Sequence, residues 1–245
     1  MLNVENITKL YRKQEKEIRA LDSVSLNVNT GEFVAVEGPS GSGKSTLLFT
    51  AGSLLAPDDG QVLIDGQNPY ALSFDQRAKF RAEKIGFVFQ QFHLIPYLTV
   101  LENILTPSIL LKAENPHDSA MQFIERFGLT DRVHHVLAEL STGERQRTAL
   151  ARAFINSPSV ILADEPTGNL DRENAEIVIG SLVEFVNAGG SVLLVTHDAH
   201  AAQYATRILR LENGRVRDSH QDLSLIHISE PTRPLYISYA VFCLK

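Results

Sequence analysis

The sequence predicts an α/β fold with a parallel sheet at its core, an antiparallel β subdomain at the N-terminus and an α-helical subdomain inserted between core strands. Three observations carry this reading. Val160-Ile161-Leu162-Ala163 and Val192-Leu193-Leu194-Val195 are continuous apolar runs, as in parallel strands covered on both faces. Val4-Glu5-Asn6-Ile7 and Val24-Ser25-Leu26-Asn27-Val28 alternate apolar and polar, as half-buried antiparallel strands do. From Thr99 to Phe127 the pattern is helical, interrupted by Pro107 and by the Asn115-Pro116 pair, which breaks a helix by removing a donor and restricting the preceding residue.

The remaining elements follow in order. A polar, charged turn is expected from Arg12 to Arg19. Phe33-Val34-Ala35-Val36 reads as a buried strand leading into a Gly-rich loop and a helix from about Ser45. Val62-Leu63-Ile64 followed by Asp65-Gly66 reads as a strand and turn. Phe74 to Lys84 is a charged amphipathic helix, and Ile85-Gly86-Phe87-Val88-Phe89 is a further core strand. Glu144 to Ile155 is a helix, and Arg172 to Asn187 is the helix joining the two apolar core strands. Ile208 to Leu211 and Gly214 to Val216 form a closing hairpin around Glu212-Asn213.

Composition bounds the function. The chain has 245 residues, with 23 Lys and Arg against 29 Asp and Glu, a net charge of −6. An acidic balance argues against a nucleic-acid binder acting through bulk charge. No apolar run reaches the length of a membrane span, and the first residues lack the basic and apolar regions of a signal peptide. The one cysteine is Cys243, so neither a disulfide framework nor a zinc spacing is present. These features point to a soluble cytosolic protein. The stretches Leu223–Arg233 and Ile237–Lys245 resemble the in-frame translation of a sequencing adapter and primer site, with Pro234, Leu235 and Tyr236 at the variable index. One domain is therefore expected over 1–222, with a helical insertion at about 90–155 and an artefactual tail at 223–245.

Gly38-Pro39-Ser40-Gly41-Ser42-Gly43-Lys44-Ser45 fits G-x-x-x-x-G-K-[ST] in full, followed by Thr46. It lies between a predicted strand and a predicted helix, the context that gives the motif meaning. Glycines let successive backbone N–H groups face phosphate oxygens, and the helix N-terminus adds its positive end. Lys44 supplies a cation to the β and γ phosphates, and the Ser45 hydroxyl is a candidate magnesium ligand. This makes the core of the phosphate-loop NTPase type. Asp164 and Glu165 end the Val160–Ala163 strand. Asp164 is suited to hold magnesium through water, and Glu165 to act as general base on a water molecule.

Five further features resemble the ATP-binding cassette (ABC) ATPases, and the resemblance covers residues 2 to 218. Leu140-Ser141-Thr142-Gly143-Glu144-Arg145-Gln146-Arg147 resembles the family signature. Gln90 matches the glutamine loop, Gly168-Asn169-Leu170-Asp171 the aspartate loop and His197 the switch histidine. Tyr11 lies where the family stacks an aromatic ring on adenine. A strand-end His or Tyr alone is usually structural; the joint order is what identifies the family. The resemblance implies ATP and Mg2+ as ligands and a second copy of the chain as partner. Ser141, Thr142, Gly143 and Glu144 would close on the ATP held by that copy. Gln90 would touch magnesium, His197 the γ phosphate, and Asp171 would couple the two sites.

The wording around Gln90 and Asp164 resembles the lipoprotein-release and macrolide-export group. This implies an integral membrane permease as partner and a location on the cytoplasmic face of the inner membrane. The apolar loop with Phe92, Leu94, Ile95 and Leu98 is the expected contact with that partner. Thr142 departs from the two-glycine signature, and its amide serves only if φ is negative. The alternatives are a regulatory cell-division ATPase acting through a membrane partner, and a soluble cassette ATPase of DNA repair or ribosome work. The short spacing from Lys44 to Ser141 leaves no room for the long coiled coil of chromosome-type relatives, and a single cassette differs from the paired ribosomal ones.

Overall fold

In the computed structural model, residues 1–13, 16–111 and 115–218 are described. The expected boundary at 222 and the tail at 223–245 lie outside the described residues.

The chain opens with strands β1 (Leu2–Lys13) and β2 (Lys16–Val28), then β3 (Phe33–Glu37), helix α1 (Lys44–Ala51) and β4 (Asp59–Ile64). Helix α2 (Phe74–Lys84) and strand β5 (Ile85–Phe89) follow. Helices α3 (Val100–Leu105), α4 (Pro116–Arg126) and α5 (Thr142–Phe154) lie between β5 and β6 (Val160–Asp164). The chain then runs through α6 (Arg172–Asn187), β7 (Ser191–Val195), α7 (Ala199–Ala202), β8 (Arg207–Glu212) and β9 (Arg215–Asp218).

Two sheets result. One has three strands in the order β2-β1-β4, antiparallel throughout. The other has six in the order β5-β6-β7-β3-β8-β9, parallel except for the β8–β9 hairpin. The parallel strands β3, β6 and β7 each carry an unbroken run of four apolar residues, Phe33–Val36, Val160–Ala163 and Val192–Val195, because both faces are covered. Val34, Val36, Leu162, Leu193 and Val195 pack into one core with α1 and the antiparallel sheet. Ala35, Ile161, Ala163, Val192 and Leu194 pack into a second core with α3, α4, α5 and α6. The inserted helices thus share a core with one face of the sheet.

Local chemistry sets the helix ends. Ser73 and Gln76 form a capping box on α2, and Thr99 and Glu102 form one on α3. Each satisfies two backbone donors that the first turn leaves free. Pro107 turns the chain from α3 into a 3-10 stretch at Thr106–Leu110, and Pro116 opens α4 at its first position, where a missing N–H costs nothing.

Two expectations change. Where it is described, the segment Arg12–Arg19 is paired strand, with Tyr11 opposite Ile18, Arg12 opposite Glu17 and Lys13 opposite Lys16; residues 14 and 15 lie outside the described residues. Arg12, Glu17, Ile18 and Arg19 are exposed, so charge there reflects exposure and not loss of the ladder. Leu94 is not a surface residue of an apolar loop: it is 8% exposed, whereas Ile95 is 42% and Tyr97 89% exposed. The buried Asn103 holds this loop from beneath. Its side-chain amide donates to the carbonyls of Ile95, Leu98 and Thr99, and its oxygen accepts from the Ile95 N–H.

Candidate functional site

In an open parallel sheet, ligands meet the loops that leave the carboxyl ends of the strands. Here β3, β5, β6 and β7 all deliver their loops to one side. The register places Phe89 beside Asp164, Asp164 beside Val195, and Val195 beside Val36. Gln90, Glu165, Thr196 and Glu37 are therefore neighbours before any side chain is considered. The cavity they enclose has a volume of about 630 Å³ and is lined by Gly38–Gly41, Gly43–Thr46, Gln90, Asp164, Glu165 and His197, with Ala20 at its edge.

The loop after β3 is shaped for an anion. Gly43 precedes α1 at φ +106°, and a Cβ there would sit 2.3 Å from the Ala20 carbonyl oxygen, so only glycine fits. No side chain caps α1 and its first turn holds no acid. Its leading N–H groups and the positive end of its dipole face the cavity, which suits phosphate. Lys44 Nζ donates to the carbonyls of Gly38 at 2.7 Å and Pro39 at 3.1 Å. The ammonium is thus held over the loop by neutral acceptors that a phosphate oxygen outcompetes. The β8–β9 turn supports the loop from below through the Gly214 N–H, which donates to the Ser42 carbonyl.

The acids sit opposite. Burial raises the Asp164 carboxyl above its ordinary value, an effect that the adjacent Ser45 hydroxyl opposes and the Glu165 charge reinforces. Ser45 and Asp164 are hard oxygen donors side by side. Among the described residues no group of three or more His, Cys, Asp or Glu could cage a metal. Two protein oxygens facing a phosphate loop is the donor set that Mg2+ takes, since it completes its octahedron with phosphate and water. The residues present therefore fit that ion.

Glu165 has φ +46°, a strained conformation for a side chain of this kind. Its N–H donates to the Val195 carbonyl at 2.9 Å. Its carboxylate accepts from the Thr196 hydroxyl at 3.0 Å and the His197 N–H at 3.2 Å, and meets His197 Nδ1 at 2.6 Å. The Glu165 side chain is 12% exposed and that of His197 70%. A shielded carboxylate is thus paired with a solvent-exposed imidazole at the cavity mouth. Gln90 lies across from them, with its carbonyl accepting from the Asn169 side chain.

The signature residues lie elsewhere. Ser141 caps α5, accepting from the Glu144 N–H, while the Glu144 carboxylate accepts from the Ser141 N–H. The other Glu144 oxygen meets Arg132 at 2.7 Å. The Arg132 hydrogen bond and the Ser141 N–H hold the Glu144 carboxyl down to about 2. Glu144 therefore faces its own helix start and Arg132. Thr142 is exposed and is not among the residues of positive φ, so its amide is aligned as the first of α5. A Cβ on Gly143 would lie 2.3 Å from the Asn174 side chain. Asn174 in turn donates to Asp171 and accepts from Arg147. Asp171 caps α6 and is exposed.

The structure thus brings Lys44, Ser45, Gln90, Asp164, Glu165 and His197 together. It does not bring Ser141, Thr142, Gly143, Glu144 or Asp171 to the same cavity. Tyr11 is 43% exposed and is not among the residues lining it. Sequence reasoning missed Asn174 and Asn103, which organise these loops; each is a polar residue inside a helical pattern and carries no local signal. Arg147 stood in the signature string without a role of its own.

A second cleft of about 360 Å³ opens between α2, β5 and the inserted helices. Leu54, Phe87, Phe89, His93, Pro107, Leu110 and Arg152 are among its lining residues. Leu54 and Leu110 on its rim are 49% and 53% exposed, and the adjoining Ile109 is 78% exposed.

Comparison with known proteins places these features. Residues 21–168 match the family model for ABC transporter. The chain is 43% identical over 223 residues to the uncharacterized ABC transporter ATP-binding protein MJ0796 of Methanocaldococcus jannaschii, covering 88% of this chain and 95% of that one. It is 43% identical to the lipoprotein-releasing system ATP-binding protein LolD of Xanthomonas axonopodis pv. citri, covering 89% and 91%. It is 39% identical to the macrolide export ATP-binding/permease protein MacB of Bdellovibrio bacteriovorus, covering 90% of this chain. The chain spans about a third of the length of the MacB proteins it matches. Among solved structures, the dimeric MJ0796 cassette superposes with a TM-score of 0.83, at 42% identity, covering 88% of this chain and 96% of that one. A dimeric post-hydrolysis state of MJ0796 bound to ADP and Pi gives the same TM-score at 40% identity, covering 89% and 98%.

Proposed function

The chain belongs to the ABC transporter family of ATPases, and from that premise we propose that it is the ATP-hydrolysing subunit of a complex with an integral membrane permease. The observation that carries the chemistry is the convergence of Lys44, Ser45, Asp164, Glu165, Gln90 and His197 on one cavity. The backbone of residues 38–46 wraps the phosphates and Lys44 leaves its loop carbonyls for the β and γ oxygens. Ser45 and Asp164 would hold Mg2+, with Gln90 beside them, and the ion would neutralise charge on the phosphates. Glu165 takes the proton of the attacking water. His197 holds the Glu165 carboxylate and reaches the γ phosphate from its exposed side. Tyr11, exposed on the same hairpin as Ala20, supplies a flat face for adenine.

The signature needs a second copy. Ser141, Thr142 and Gly143 head a helix and do not line the cavity of their own phosphate loop, and Asp171 stands beside them through Asn174. A head-to-tail dimer brings them onto the ATP of the partner copy, in agreement with the dimeric assembly named for MJ0796. Glu144 fixes this helix start and contributes no charge to phosphate. LolD and MacB are named for lipoprotein release and macrolide export, which supports the export-type reading. Nothing among the relatives reported favours the cell-division alternative. No helix among the described residues is long and apolar enough to cross a membrane. The names of the export-type relatives support a place for the cassette at the cytoplasmic face of the inner membrane, against the permease. The net charge of −6 speaks against a nucleic-acid partner.

The purified chain hydrolyses ATP when Mg2+ is supplied. Removing Mg2+ with EDTA stops phosphate release while leaving some nucleotide bound, because the loop and Lys44 remain. Hydrolysis unaffected by EDTA contradicts the assignment of Ser45 and Asp164.

The permease docks in the cleft rimmed by Leu54 and Leu110, where apolar side chains meet solvent beside the Gln90 loop. Leu110→Asp puts a charge on that rim and weakens assembly, with basal hydrolysis unchanged. Full co-purification of this variant with the permease places the contact elsewhere. Leu94 is unsuited to the same test, because a charge at a buried position unfolds the loop.

A further inference from the structure

Immediately after Gln90 the backbone does something costly. Phe92 has φ +60° and His93 φ +46°, two consecutive side-chain-bearing residues in the left-handed region. Such geometry persists only where surrounding contacts impose it. Within the loop, the Phe92 N–H donates to the Phe89 carbonyl and the His93 N–H to the Gln91 carbonyl. The carbonyls of the two strained residues point the other way, toward α5. There Arg152 donates from Nη1 to the His93 carbonyl and from Nη2 to the Phe92 carbonyl, each at 2.6 Å.

Arg152 has no carboxylate partner among the described residues, and burial alone pushes its guanidinium down to about 10. A partly buried cation bonded only to backbone oxygens is an expensive arrangement. The planar fork matches two adjacent carbonyls in a way that a point charge does not. α5 runs from the signature at Ser141 and Thr142 to Phe154. Ser141 and Arg152 are therefore about 16 Å apart along one rigid rod, at 1.5 Å per residue. His93 and Arg152 also line the second cleft.

We propose that Arg152 is a positioning residue that ties the Gln90 loop to the signature helix by holding Phe92 and His93 in their left-handed turn. It does not touch nucleotide. It sets where Gln90 stands relative to Asp164 and Glu165, and it makes a shift of the Gln90 loop a shift of α5. A segment docked in the cleft meets this joint directly. The proposal rests on the ATPase reading and on Gln90 facing the phosphate site.

The test uses steady-state hydrolysis by the purified full chain, with melting temperature as the control for folding. Arg152→Met lowers kcat about tenfold or more and leaves KM for ATP within about threefold, because the phosphate loop is untouched. Arg152→Lys falls between that variant and wild type. The decisive arm is the double variant Arg152→Met, Phe92→Gly. Glycine occupies the left-handed region without strain, so one of the two strained positions no longer needs the clamp and kcat recovers by about threefold or more over Arg152→Met alone. If Arg152→Met does not fold, Arg152→Lys with and without Phe92→Gly makes the same comparison. An Arg152→Met variant with wild-type kcat overturns the proposal. So does a lowered kcat that Phe92→Gly leaves where it is, since Arg152 is then packing only. A wild-type chain without hydrolysis overturns the ATPase reading itself, a result distinct from an active wild type whose variants are equally active.

Discussion

Lys44→Ala abolishes ATP binding at concentrations that saturate the wild-type chain. The cavity has one ammonium facing the phosphate loop, and in the nucleotide-free arrangement it is bonded to two neutral carbonyls. Transfer to phosphate replaces neutral acceptors with anionic ones, roughly doubling the strength of each bond. Without it the triphosphate enters a site whose nearest charges are Asp164 and Glu165. A loss of at least a hundredfold in affinity, about 2.7 kcal/mol, is expected from equilibrium titration with a fluorescent ATP analogue. The fold is unaffected, because Lys44 makes no ion pair with a carboxylate among the described residues. A Lys44→Ala variant that binds within a few-fold of wild type removes this cavity as the nucleotide site.

Glu165→Gln has the opposite signature. The amide keeps the shape and can still hydrogen-bond to Thr196 and His197, so binding survives. It cannot take a proton from water, and kcat falls by about a hundredfold or more. The measurement is phosphate release under saturating MgATP. Retention of wild-type kcat assigns the base elsewhere, and the strained backbone at Glu165 is then explained by packing alone.

Much of this was legible from residues in order. The bounds predicted for α2 and α6 are those observed. Core strands β3, β6 and β7 announced themselves because burial on both faces demands an unbroken apolar run. The phosphate loop was legible because its chemistry needs fixed residue types at fixed spacing, and its strand-loop-helix context was visible beside it. The β1–β2 hairpin beyond Arg12 was not, since a ladder that projects into water tolerates charge and leaves no apolar alternation. Leu94 was misplaced for the converse reason. An apolar residue in a loop has the same sequence signature whether it faces a partner or is folded over Asn103. Arg152 and Asn174 could not be found locally at all. Each is one more polar residue on a helix until tertiary structure sets it against backbone carbonyls or beneath Gly143.

The signature residues do not line the phosphate cavity of their own chain, and the proposed ATP site is completed across two copies. The direct measurement is the mass of the Glu165→Gln chain in solution, by light scattering on a sizing column, with and without ATP. The expected result is a monomer without nucleotide and a dimer with it. Adding Ser141→Arg to the same chain abolishes the ATP-driven dimer while leaving ATP binding by the monomer intact, because Ser141 lies outside the cavity that holds Lys44. A Glu165→Gln chain that binds ATP yet stays monomeric, or a dimer indifferent to Ser141→Arg, contradicts the shared site.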